Sequence, residues 1–329
     1  MDKKLIEFGN KVKKNLEEYY NGDVMVRINE VMKNNGLELL GISMVSEKSN
    51  LSPTIYMEPF YDKYKNGTPF AEVFRMITTQ YEECRKEEHM NMEFFGNYEK
   101  VRGRIAFKLI NYEMNLKLLS DIPHIKFYDL AIVFYYVVEC NLLGNATILI
   151  HNNHVDTWNI SEAVLYKDAM HNTQSMMPYR IESLTELLIE MMKSNISEGD
   201  ADIDSIIEEQ LEGTKDMPLY VLSNNLKQFG AACMAYDGML KKIADTLDSD
   251  YVILPSSVHE LIIVPVSSKD VDYEWLKNMV TEVNSTQLQL EEILSDSVYR
   301  YNRSTEKLTV MYSKGSNPTA VKLDKEYAL

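Results

Sequence analysis

A chain of 329 residues is long enough for about two domains, and its composition (45% hydrophobic, 26% charged, only 13 glycines and 9 prolines) excludes a disordered or collagen-like protein. Fifty acids against 34 bases give a net charge of −16, which repels phosphate backbones and disfavours nucleic-acid binding, while permitting mimicry of nucleic acid towards a basic partner. Three widely spaced cysteines, Cys84, Cys140 and Cys233, contain no Cys-x-x-Cys pair; they indicate neither a disulfide framework nor a zinc knuckle and fit a reducing cytoplasm.

Along the chain, Leu5, Phe8, Val12, Leu16 and Tyr19 recur at helical spacing, with Lys3, Lys4, Lys11, Lys13 and Lys14 mostly off that stripe. This predicts a terminal helix docked on its own domain. Stretches 36–45 and 52–60 read as two strands. Asn66-Gly67 and Thr68-Pro69 then introduce a helix whose apolar face carries Phe70, Val73, Phe74, Ile77 and Tyr81. The same order of strand, strand and helix is predicted for 130–138, 145–151 and 161–171; for 219–223, 230–235 and 238–247; and for 251–255, 260–266 and 271–284. A hairpin, SVYRYNR with KLTVMY, follows. The fold class is therefore α+β: antiparallel strand pairs, each followed by a helix in repeated ββα-like units, with helices covering one sheet face.

Ser183-x-x-Glu186 matches a capping box, and seven acids with no base lie between Glu198 and Glu212. This composition shift predicts an N-terminal α+β part (1–194), an acidic linker (195–217) and a C-terminal α+β part (218–329). The longest apolar run, Leu130 to Val138, is far short of the roughly 20 residues that cross a bilayer as a helix. A cytoplasmic location is expected.

Asp200, Asp202 and Asp204 have the alternate spacing that opens a calcium loop. Ser205 stands where that loop needs glycine, and Leu211 where it needs glutamate. His151 and His154, in HNNH, have a spacing that can share a metal ion on a helix; an asparagine-rich turn is the simpler account. Phosphate-binding glycine loops and the strained serine elbow are absent from the sequence, so no cofactor is expected. Arg102, Arg104 and Lys108 alternate with apolar residues as one strand face would, and they are candidates for binding an acidic ligand or RNA, as are Arg300 and Arg303.

The chemical candidate is ILPSSVHELIIVP (253–265), in which Ser257, His259 and Glu260 supply nucleophile, base and acid. The short β-branched flanks instead read as a buried hairpin with a structural histidine in its turn. Adjacent extended residues point to opposite faces, so His259 and Glu260 should diverge.

NLSPTIYMEPFY, RIAFKLINYEMNLKLLSDIPHIKFYDLAIVFYYVV, ATILIHNNHVDTWNISEAVLYKDAM, YVILPSSVHELIIVPV and LSDSVYRYNR together resemble a bacterial family of unknown function. That family is typical of Gram-positive anaerobes and their mobile elements, and the likeness spans about residues 37–303. The resemblance implies a cytoplasmic protein linked to mobile or phage-derived DNA and brings no catalytic residue or ligand with it. The expected function is a non-enzymatic protein-interaction or inhibitor role, with another protein as partner. The alternatives are a hydrolase using Ser257 and His259 and an RNA-binding module using Arg102, Arg104 and Lys108.

Overall fold

The computed structural model describes residues 1–46, 54–84, 95–138, 146–187, 189, 218–266 and 271–312. They form two compact units, Met1–Lys100 and Val101–Leu329.

In the first unit, helix α1 (Lys3–Tyr19) begins at Asp2, whose carboxylate accepts the Lys4 N–H at 3.0 Å. Strands β1 (Val24–Met32) and β2 (Glu38–Ser46) pair antiparallel over nine positions, from Val24↔Ser46 to Met32↔Glu38. Asn35 and Gly36, both at positive φ, make the turn between them. β3 (Thr54–Tyr56) adds to the other edge of β2. Stretch 52–60 is therefore only partly strand, because helix α2 (Glu58–Lys65) starts within it. Pro59 lies in the first turn of α2, where its missing N–H costs nothing. Helix α3 (Phe70–Cys84) buries Val73, Ile77 and Tyr81. The Pro69 carbonyl accepts the Val73 N–H at 3.1 Å, which puts the helix cap at Pro69 and not Thr68. Leu5, Val12 and Leu16 of α1 join Val26, Ile42, Met44 and Ile55 of the sheet and the α3 face in one apolar cluster. The helical stripe and the strand alternation thus meet in a single core.

The second unit holds two sheets. In the first, β6 (Leu130–Val138) is central. β4 (Ile105–Asn111) runs along one edge, while β5 (His124–Phe127) and β7 (Ala146–Leu149) share the other end to end. Helices α4 (Asn152–Trp158) and α5 (Glu162–Met176) follow. Thr173 of α5 ties that helix to the sheet: its hydroxyl accepts the Phe107 N–H at 3.0 Å and donates to the Ala169 carbonyl.

The other sheet has six antiparallel strands. They are β8 (Tyr179–Ser183), β9 (Tyr220–Asn224), β10 (Asp250–Leu254), β11 (Leu261–Val266), β12 (Val298–Asn302) and β13 (Lys307–Tyr312), in the order β13-β12-β10-β11-β9-β8. Helix α6 (Met239–Leu247) precedes β10, and α7 (Tyr273–Thr286) packs Leu276 and Val280 against Val252, Leu254, Val264 and Val298. The helix at 271–284 is thus present, but Trp275 is off its buried stripe and 54% exposed.

The architecture is α+β with several antiparallel sheets. The pairs β6–β7 and β10–β11 and the last hairpin form as the sequence predicts. Residues 230–235 do not form a strand: Gly230–Ala235 is a 3-10 turn with Gly230 to Met234 all buried. A run buried on every side has no exposed face to alternate with, so its pattern resembles a core strand. Five strand pairs lie in one six-stranded sheet and the others in two smaller sheets, so a strict ββα repeat does not organise the described residues.

β8 precedes the acidic stretch and β9 follows it, yet they are neighbours, with Tyr179↔Asn224 to Ser183↔Tyr220 in register. The chain divides into its two compact units after residue 100. Residues 195–217 themselves lie outside the described residues. Their acidity is a compositional signal and carries no information about which strands pair across it.

Candidate functional site

The turn between β10 and β11 is built by Ser257. Its N–H donates to the Glu260 carbonyl at 3.1 Å, and its hydroxyl oxygen accepts the His259 N–H at 3.0 Å. Such local side-chain bonds are what serine offers in turns. His259 faces away from that hydroxyl in bonding terms: its Nδ1 accepts the Phe229 N–H at 3.2 Å, which leaves Nε2 to carry the proton of the neutral ring. The Ser223 hydroxyl donates to the His259 carbonyl at 2.8 Å. Ser257 is 6% exposed, while His259 and Glu260 are half-buried. The three sequence candidates are therefore neighbours, but the serine and imidazole are each bonded to backbone and not to one another.

Three turns converge here. Besides 255–260, the loop 224–229 supplies the Phe229 N–H, and the Val258 N–H donates to the Glu292 carbonyl at 2.9 Å. The 224–229 loop is organised by Asn224, which is 1% exposed. Its side-chain oxygen accepts the N–H groups of Leu226 (3.0 Å) and Gln228 (3.3 Å), and its amide donates to the Gln228 carbonyl at 2.7 Å. Within this loop Lys227 (φ 51) and Phe229 (φ 53) are both left-handed, a conformation costing non-glycine residues about 1–3 kcal/mol each. Gly230 follows in a space no other residue fits: a Cβ would stand 2.1 Å from the Ser223 hydroxyl oxygen and 2.5 Å from the His259 carbonyl oxygen.

Phe229 gathers two candidates that the sequence treats separately. Its ring stacks on His259 (centroids 5.7 Å, planes at 15°), and the Lys108 ammonium lies 4.4 Å from the same ring centre. Tyr135 of β6 meets it edge-on at 5.4 Å. Leu226 remains 45% exposed at the loop tip. Nearby Cys233 is buried, and burial pushes its thiol up to about 12, so it is inert.

The other basic candidates sit elsewhere, most of them against acids of their own unit. Arg102 makes two bonds to Asp168, at 3.0 and 3.1 Å. Arg104 closes the 3-10 turn Arg102–Arg104 that leads into β4. Arg300 reaches Asp250 at 2.9 Å and the Tyr273 hydroxyl at 3.2 Å, while Arg303 pairs with Asp245 and Asp248. Burial alone would raise the Asp250 carboxyl. The Arg303 backbone N–H, the Arg300 guanidinium and the Asn302 amide outweigh it and hold the group below the usual range.

His151 and His154 cap α4. The His154 Nδ1 accepts the His151 N–H at 3.1 Å, and the His151 Nδ1 lies 2.7 Å from an Asp121 carboxylate oxygen. Burial, and then the neighbouring His151, lower the His154 pKa. Among the described residues no three histidines, cysteines or acids are grouped to hold a metal ion. Asp200, Asp202 and Asp204 lie outside the described residues.

Sequence reasoning does not reach Asp129, in the turn between β5 and β6. One carboxylate oxygen accepts the hydroxyls of Ser295 (2.5 Å) and Ser297 (2.8 Å), and the other accepts that of Tyr299 (2.6 Å). Ser295, Ser297 and Tyr299 are buried. Desolvation, and then the Asp129 charge, hold the Tyr299 phenol well above its usual range. The partners lie 166 to 170 positions apart, so no local signal links them.

Fold and site together define an α+β protein that offers a loop-built surface at the end of a six-stranded antiparallel sheet. Among the described residues, no helix is long and apolar enough to cross a membrane. The chain belongs to a family of unknown function (DUF5688), whose model matches residues 5–303. No curated protein and no solved structure matches the chain.

Proposed function

We propose that this protein acts by binding another protein, and that the 224–229 loop with the adjoining 255–260 turn is its contact surface. The observation that carries this reading is the loop itself. Two left-handed non-glycine residues are held in place by a buried asparagine, and the result is an exposed leucine on a fixed backbone. Strain of this kind persists where the surroundings enforce it, and it concentrates at binding loops. A preformed loop also loses less entropy on association.

Weighing against the hydrolase reading, the Ser257 oxygen accepts a backbone N–H and the His259 Nδ1 is taken by another. Weighing against RNA binding, Arg102, Arg300 and Arg303 are bonded to acids. An inhibitor role, with the seven acids of 198–212 occupying a basic partner, is the narrower form of the same proposal. A link to mobile elements or defence rests on resemblance alone.

The test is a photoreactive amino acid placed at Leu226 and, as a control, at exposed Lys167, with irradiation in a lysate of the source organism. A discrete protein adduct at 226, absent at 167 and weakened by Asn224→Ala, is the expected result. Equal labelling at both positions, or none at 226 in folded protein, would overturn the proposal.

A further inference from the structure

We propose that the first unit carries two sites of spontaneous modification, Asn66–Gly67 and Asn21–Gly22, at which asparagine converts to aspartate and isoaspartate, while the identical dipeptide Asn35–Gly36 is protected. All three Asn-Gly pairs fall within residues 1–100. In each, the glycine lacks a Cβ that would hinder approach of its own backbone nitrogen to the asparagine side chain. The sequence therefore makes them equal, and the fold separates them.

Asn66 ends α2, and both it and Gly67 are exposed; a Cβ at Gly67 would meet nothing within 4 Å. Asn21 and Gly22 follow the end of α1 and are likewise exposed, with open space around Gly22. Neither side-chain amide makes a hydrogen bond among the described residues, so each is at liberty to swing towards the following nitrogen. The glycine N–H groups are held by single helix-end bonds, 3.2 Å from Gly67 to the Tyr64 carbonyl and 3.4 Å from Gly22 to the Glu17 carbonyl. Helix ends fray, which releases those bonds.

Gly36 is exposed like the other two glycines, and the difference lies in Asn35 itself. It is 6% exposed, its interactions are made within the fold, and it is clamped between the Lys33 N–H to Leu37 carbonyl bond (2.7 Å) and the return bond from Leu37 to Asn34 (3.4 Å). The nine-pair ladder of β1 and β2 closes directly onto this turn.

In the reaction, the glycine nitrogen loses its proton to solvent and bonds to the asparagine side-chain carbonyl carbon. The carbon–nitrogen bond of the amide breaks, and the nitrogen leaves as ammonia. Water then opens the cyclic imide at one carbonyl or the other, giving aspartate or isoaspartate. Each event adds one negative charge at the C-terminal end of a helix, the end where negative charge is disfavoured. With both sites converted, the first unit moves from 17 acids and 14 bases, a net of −3, to −5.

The experiment is peptide mapping by mass spectrometry of the full chain, aged in mildly alkaline buffer, folded and in denaturant. In denaturant the three sites should react at similar rates. In the folded chain Asn66 and Asn21 should convert while Asn35 is slowed at least about tenfold, because it reacts only through local opening. Asn35 converting as fast as the others in the folded chain would overturn the proposal. So would either Asn66 or Asn21 staying intact there while reacting in denaturant.

Discussion

Each of the two compact units is stabilised internally by different means. Residues 1–100 are nearly neutral at −3, whereas residues 101–329 carry 33 acids against 20 bases, a net of −13, with seven of those acids in 198–212 alone. The first unit rests on one apolar cluster running from Leu5 to Tyr81. In the second, buried polar groups tie segments that apolar contact alone does not place. Eight of the ten buried polar residues described lie there; Thr173, Ser223, Asn284, Ser295 and Ser297 each bond one segment to another, while Asn115, Asn224 and Ser257 bond within their own turns. Apolar burial is non-directional and sets a core. Hydrogen bonds to a shared acceptor set which loop meets which, and removing the acceptor strands every donor at once.

The largest expected effect comes from breaking one element of each kind. Asp129→Ala deprives three buried hydroxyls of their acceptor and should destabilise the second unit by about 3 kcal/mol or more. Ile42→Ala empties part of the first unit's core and should cost about 2–5 kcal/mol. Residue-resolved hydrogen exchange checks the contrast: protection should fall in 101–329 for the first variant and in 1–100 for the second. Loss spread evenly over both units in either variant would contradict the distinction.

Next in size is Gly230→Ala. Its methyl has to displace the Ser223 hydroxyl and the His259 carbonyl, so a loss of about 1–3 kcal/mol is expected in denaturant unfolding. Cross-linking from Leu226 should fall with it, since the same displacement disturbs the Phe229–His259 bond. An unchanged unfolding midpoint would show that the three turns are not tightly joined.

The smallest effect concerns the α4 cap. His154 accepts a backbone N–H only when neutral, and its folded pKa is lowered from the usual value. The unfolded chain therefore takes up the proton first. The stabilisation is whole above about pH 6.5 and is lost as pH falls towards the folded value. His154→Gln keeps an acceptor in the cap and removes the titration, so the wild-type decline below that pH should flatten by at most about 1 kcal/mol, the scale of one capping bond. An identical pH profile in the variant would remove His154 from the account.

Much of the secondary structure was legible because burial there follows a period. The α1 stripe of Leu5, Phe8, Val12 and Leu16 is such a case, whereas β10, buried at Tyr251 to Leu254, was legible as a short β-branched apolar run. Residues 230–235 were misread for the converse reason, since a 3-10 turn buried on all sides has no period to display. The candidate site was legible only in fragments. His259 and Lys108 stand out as residue types, but Phe229, which joins them, sits in a loop with no signal beyond its following glycine.

By itself the sequence determined the amphipathic helices, the apolar strands, the strong acidity and the family. These depend on residues close together in the chain, where spacing alone decides which face is buried. Only the tertiary structure decided that β8 and β9 pair across the acidic stretch, that Asp129 serves Ser295, Ser297 and Tyr299, and that one of three identical Asn-Gly pairs is shielded. Directional bonds between residues from about 40 to 170 positions apart leave no period behind them, and exposure belongs to the folded surface and not to the dipeptide.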